Sequence, residues 1–209
     1  MRQLGQHPYT ALYGFTYHRL ITTTVMQLAT NGSLYEYLHK KANKPSMQQS
    51  LTWAKEIAYA MLSMHEKHFV HRDLKSANVL LTDNMHILLC DFGSTRKAEH
   101  TLEGTKGVGT YRWMAPEVLK GTVSKASDVY SFAMVLYELL ENKVPFCDNT
   151  EAMAAMKSSE GERPHLANPL PEYVQVIIET CWAHNPHHRP TFDKIVRAIN
   201  LKSYDELFK

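Results

Sequence analysis

Across residues 47–69 the apolar positions Leu51, Ala54, Ile57, Ala58, Met61 and Leu62 recur at helical spacing, which predicts one long amphipathic helix. Ahead of it, residues 9–28 are rich in Tyr, Thr, Val, Ile and Leu, with a polar break near Tyr17 to Arg19. That pattern predicts two short antiparallel strands joined by a tight connection. Asn31 to Ser33 punctuates the chain, residues 34–39 are expected to start a short helix, and residues 40–45 read as a polar loop closed by proline. Past the long helix the pattern changes to short β-type runs, 78–81 and 86–90, around an Asp83-Asn84 turn. Residues 94–110 are polar and contain glycine, predicting a loop longer than compact domains usually keep without a purpose. Three more helices are expected. Residues 128–141 are apolar on most sides and should cross the core, whereas 172–184 and 192–201 are more amphipathic. No repeat, low-complexity tract or linker divides the chain, so the expected fold class is an α-rich α+β body.

Composition narrows the function classes. The 209 residues are 44% hydrophobic and 21% charged, with a net charge of +2 and no long basic run. Nucleic acid or an anionic membrane is therefore not expected as the main partner. Cys90, Cys147 and Cys181 are odd in number and show no CxxC spacing, which reads as reduced thiols in a cytosolic or nuclear protein. No apolar run suits a signal peptide or approaches the roughly 18 residues of a membrane span. The expected setting is soluble and cytoplasmic.

The chemistry lies in three clusters: His71-Arg72-Asp73-Leu74-Lys75-Ser76-Ala77-Asn78, then Asp91-Phe92-Gly93, then Ala115-Pro116-Glu117. Singly, each could be a turn in which Asp73 and Asn78 cap backbone groups and Lys75 is solvated. Together, in this order and spacing, they resemble the catalytic loop, metal-binding loop and activation-segment end of eukaryotic protein kinases. The resemblance runs from about residue 4 to about residue 200 and implies a protein-kinase-like fold. It implies phosphoryl transfer from ATP to a hydroxyl of a protein substrate, with Mg²⁺ as cofactor. Asp73 would orient the hydroxyl or accept its proton, and Lys75 would place positive charge on the transferring phosphate. Asn78 and Asp91 offer hard oxygen ligands suited to Mg²⁺.

The resemblance assigns other positions. His71 would pack structurally against Phe92. Arg72 resembles the arginine that receives a phosphate on the activation loop, whose candidate acceptors are Ser94, Thr95, Thr101 and Thr105; these hydroxyls could equally form a plain polar loop. An upstream kinase or autophosphorylation at Thr101 or Thr105 would supply that phosphate. Asp128 resembles the aspartate that holds the catalytic loop's amides, although a carboxylate at a helix start is also a natural cap. Arg189 resembles the buried partner of Glu117, and His184, His187 and His188 read as a solvated loop.

At the front, residues 25–34 resemble the hinge on which adenine rests, though a strand running into a turn would also explain them. Met26 would be the gatekeeper, the backbone of Gln27 and Ala29 would bond the purine, Ser33 would approach the ribose, and Leu80 would floor the pocket. Lys75, and Thr110 ahead of the Tyr111-Arg112-Trp113-Met114 run, resemble serine/threonine kinases of the tyrosine-kinase-like group, including mixed-lineage and Raf types. No glycine-rich loop, strand lysine or regulatory-helix glutamate precedes residue 9. On this resemblance residues 1–28 are a remnant of the N-terminal lobe and hinge, and 29–209 are the helical lobe. Such a chain is expected to bind ATP poorly and catalyse little by itself. The alternative is a short, non-catalytic binding or regulatory module; the presence of Asp73, Lys75, Asn78 and Asp91 together favours the kinase.

Overall fold

A computed structural model of the protein describes residues 7–18, 21–97 and 111–208. Strands β1 (Leu12–His18) and β2 (Ile21–Met26) pair antiparallel, from Leu12 opposite Met26 to His18 opposite Ile21. As expected, the first strand ends within the polar break at Tyr17 to Arg19, with His18 paired to Ile21. A five-residue helical turn, Glu36–Lys40, follows.

Helix α1 (Met47–Glu66) begins at Ser46, whose side chain accepts the Gln49 N–H at 3.2 Å. It stops three residues before the expected end. His68 has φ of 61°, outside the right-handed region, and Phe69 then lies in β3 (Phe69–Val70). Phe69 looked helical only because it is apolar. Strand β3 pairs with β6 (Arg96–Lys97), so the start of the expected 94–110 loop is a strand held from far away in sequence.

Between them, β4 (Val79–Leu81) and β5 (Ile87–Leu89) form the expected hairpin. Beyond Tyr111 come α2 (Pro116–Leu119), α3 (Lys125–Glu141), α4 (Glu151–Ser159), α5 (Glu172–Cys181) and α6 (Phe192–Leu201). Helix α6 has its expected bounds. Helix α3 starts three residues earlier than expected and is capped at Ser124, whose N–H donates to Ser127 Oγ at 3.1 Å. Asp128 is therefore inside the helix and not its cap. Helix α5 ends three residues short of His184. The sequence pattern missed α4, which buries only Ala154 and Ser158.

Every residue of α3 from Ser127 to Glu141 is buried. Helices α1, α5 and α6 pack around it, with Trp53, Tyr130, Phe132 and Phe192 fully enclosed. The result is an α+β fold, mainly helical, in which the strands form two-stranded antiparallel pairs. Among the described residues no helix is long and apolar enough to cross a membrane.

Candidate active site

The hairpin β4–β5 brings two oxygen-bearing residues together. Asn78 immediately precedes β4 and Asp91 follows β5 by two residues; Cys90 N–H donates to the Asn78 carbonyl at 3.0 Å. The hairpin is anchored on α1. Trp53 Nε1 donates to the Met85 carbonyl at 2.6 Å, and buried Glu56 accepts the Ile87 N–H at 2.9 Å.

Asp91 adopts a left-handed conformation, φ 57°, and its Oδ1 accepts the Gly93 N–H at 3.3 Å. A Cβ on Gly93 would sit 3.2 Å from that oxygen, so the glycine lets the loop close on the carboxylate. The Asp91 side chain remains exposed.

The loop from His71 to Asn78 is held from below by α3. Asp128 accepts the backbone N–H groups of His71 (Oδ2, 2.9 Å) and Arg72 (Oδ1, 2.9 Å), and its Oδ2 also meets His65 Nε2 at 2.9 Å. These bonds hold Arg72 at φ 74°, an unfavourable value for a non-glycine residue. Within the loop Lys75 Nζ lies 2.8 Å from Asp73 Oδ2. Asn78 Nδ2 donates to the Asp73 carbonyl at 2.7 Å and to Asp73 Oδ2 at 3.0 Å. The Asp73 and Lys75 side chains are 18% and 20% exposed, enclosed but reachable.

His71 packs on Phe92 with ring centroids 5.8 Å apart. Its Nε2 donates to the Cys90 carbonyl at 3.1 Å, and its Nδ1 accepts the Asp73 N–H at 3.3 Å. Complete burial pushes its pKa down, so the ring is neutral and ties the two loops together.

Arg72 Nη1 reaches the Ser94 carbonyl at 3.3 Å. Of the hydroxyls named as phosphate acceptors, Thr95 is 4% exposed, which removes it from the accessible set in this conformation. Thr101, Thr105 and Thr110 lie outside the described residues.

On the hinge side, Gln27 N–H donates to the Ala11 carbonyl at 2.7 Å, so only its carbonyl is left to serve a purine. Ala29 and Leu80 pack with Ala11, Leu88 and Cys90. Ser33 Oγ accepts the Glu36 N–H and its own N–H donates to Glu36 Oε2, each at 3.2 Å. Met26 is 44% exposed. Asn31 N–H and the Gly32 carbonyl bond to Leu81, which fixes the hinge segment against the β4–β5 hairpin.

The structure thus brings Asp73, Lys75 and Asn78 into direct contact, and sets Asp91 across the hairpin from Asn78. Sequence reasoning missed His65, Ser76, Trp113 and Glu138, which support the loop from within. The available signal was Glu138, a lone carboxylate in the otherwise apolar run 132–140.

Residues 1–199 match the family model described as protein tyrosine and serine/threonine kinase. The RGS domain-containing serine/threonine-protein kinase A of Dictyostelium discoideum is 40% identical over 83% of this chain and 16% of its own length. A serine/threonine/tyrosine-protein kinase of Arabidopsis thaliana is 38% identical over 88% of the chain and 48% of its own. The mitogen-activated protein kinase kinase kinase 7 of Drosophila melanogaster is 35% identical over 98% of the chain and 32% of its own length. The chain therefore spans less than half the length of each of these relatives.

Proposed function

The chain belongs to the protein tyrosine and serine/threonine kinase family, and from that membership we propose that it transfers the γ-phosphate of ATP to serine and threonine hydroxyls of proteins. The observation that carries this reading is the Asp73–Lys75 contact at 2.8 Å, with Asn78 Nδ2 on the same Asp73 oxygen. With Oδ2 occupied by two donors, Oδ1 of Asp73 would serve the substrate hydroxyl, orienting it and taking its proton as the new phosphorus–oxygen bond forms and the bond from the γ-phosphorus to the departing ADP breaks. Lys75 would place its charge on the phosphoryl oxygens.

The donor set suits Mg²⁺. The Asn78 amide turns its NH₂ to Asp73, which leaves its oxygen for a cation, and exposed Asp91 contributes a carboxylate. Bound there with ATP, the ion would neutralise phosphate charge. Asn78 and Asp91 would hold it, while the Gln27 carbonyl, the Ala29 amide, Ser33 and Leu80 would take the adenosine. In this reading residues 1–28 supply the strand and hinge side of the nucleotide cleft, and 29–209 the helical lobe. The three free cysteines fit a cytoplasmic setting.

The test is a peptide-library phosphorylation assay on the full-length protein with Mg-ATP. Serine and threonine peptides should dominate, since Lys75 at this place in the catalytic loop resembles serine/threonine kinases. Dominant tyrosine phosphorylation would overturn the acceptor assignment. Absence of transfer by folded protein would overturn the catalytic reading in favour of a binding module.

A further inference from the structure

Glu138 lies three residues from the C-terminal end of α3 and is fully enclosed. Its Oε1 accepts the Ser76 hydroxyl at 2.7 Å and meets His39 Nε2 at 2.9 Å; its Oε2 accepts Trp113 Nε1–H at 2.6 Å. Burial pushes the Glu138 pKa up, and these three contacts oppose that shift. A carboxylate in a core is costly compared with an apolar side chain of similar size. What it supplies here is direction, because both oxygens are used and each contact comes from a different segment.

Those segments are the catalytic loop and two turns distant from it in sequence. Ser76 opens the turn Ser76–Asn78, immediately after Lys75 and two residues before the amide that holds Asp73. Trp113 closes the turn Tyr111–Trp113, and its carbonyl accepts Ser131 Oγ from the same helix at 2.8 Å. His39 belongs to the turn Glu36–Lys40, just beyond Ser33 and the hinge. We propose that Glu138 is a positioning residue whose carboxylate registers the catalytic loop against the 111–113 segment and the 36–40 turn, so that loosening any one of them loosens the others. The proposal rests on the phosphoryl-transfer reading only for its kinetic consequence.

Replacing Glu138 itself risks the fold, so the contacts are cut one at a time. Ser76→Ala removes one hydroxyl, and Trp113→Phe removes one N–H while keeping an aromatic ring. Ser50→Ala is the control. It removes a buried hydroxyl bonded at 2.8 Å to the Leu139 carbonyl, on the same helix but away from the site. Amide hydrogen exchange is followed by mass spectrometry in segments 70–82 and 111–119 of the full-length protein. Ser76→Ala and Trp113→Phe should each speed exchange in both segments by about tenfold, the scale of a lost hydrogen bond to a charged group. Acceleration confined to the mutated segment, or the same pattern in Ser50→Ala, would overturn the proposal. In the kinetic arm, each variant should lower kcat about tenfold with KM for ATP unchanged, and the double variant should be little worse than either single one. Multiplicative losses would overturn the coupling. If the parent protein transfers no phosphate, the functional reading fails while the exchange experiment still decides this one.

Discussion

Arg189 and Glu117 meet through two parallel hydrogen bonds, Nη1 to Oε1 at 2.6 Å and Nη2 to Oε2 at 2.9 Å, although 72 residues separate them. The Arg189 side chain is fully buried, lies over the Tyr130 ring at 5.0 Å, and donates to the carbonyls of Ala183, Ala126 and His184. Removing either partner leaves the other without its counter-charge. Arg189→Ala is expected to cost about 3–5 kcal/mol of unfolding free energy. Glu117→Gln should cost less, because the amide oxygen can still accept one of the two bonds. Urea denaturation of the two variants against the parent checks the order.

Asp73 and Asp91 should separate chemistry from nucleotide binding. Asp73→Asn is expected to lower kcat by roughly 10²–10⁴-fold with nucleotide affinity close to that of the parent. Asp91→Asn should weaken Mg²⁺-dependent nucleotide binding as well, because it would remove a proposed cation ligand. Turnover and calorimetric titration with and without Mg²⁺ measure both effects. Substantial turnover in Asp73→Asn would remove that residue from its assigned part.

His71 predicts a loss of stability in mild acid. Burial holds its folded pKa below 6.5, so below about pH 6.5 the unfolded chain gains a proton that the folded ring resists. The contribution is fully present above that pH and is lost as pH falls. Its slope is at most about 1.4 kcal/mol per pH unit. Half-buried His7, also lowered mainly by burial, contributes in the same direction. Unfolding midpoints at pH 7, 6 and 5 should fall, and His71→Asn should show a shallower decline from a lower starting point. An equal decline in both would show that His71 does not carry the effect.

The cysteines should label in two classes. Cys147 is exposed, whereas Cys90 and Cys181 are buried. Burial pushes the Cys90 thiol up to about 12, leaving on the order of a thousandfold less thiolate than an ordinary cysteine, and burial raises Cys181 as well. Iodoacetamide at neutral pH should modify Cys147 first and reach the other two only in denaturant. Rapid modification of Cys90 in folded protein, located by peptide mass mapping, would contradict this.

What the sequence disclosed is what is written locally. The triplets around Asp73 and Asp91 are contiguous, and the apolar spacing of α1 and α6 repeats over several turns. The hidden features depend on distant partners. The overrun of α1 into Phe69 arose because β3 exists only through pairing with Arg96 and Lys97, 26 to 28 residues on. Helix α4 has too thin an apolar stripe to stand out. Thr95 reads as a loop hydroxyl, and only the fold shows it buried. Asp128 could be assigned by resemblance, but that it lies within the helix, with Ser124 as its cap, required the structure. Ser76 and Glu138 are 62 residues apart, and no local pattern announces their contact.

Helix α3 supplies Asp128 to the catalytic-loop amides, Ser131 to the Trp113 carbonyl, and Glu138 to Ser76 and Trp113. At three and ten residues beyond the first, these side chains lie along one side of a 3.6-residue spiral. The same helix is the centre of the hydrophobic interior. Scaffold and site are therefore one object. Heat or acid that melts this helix would take the catalytic loop and the hydrophobic interior together.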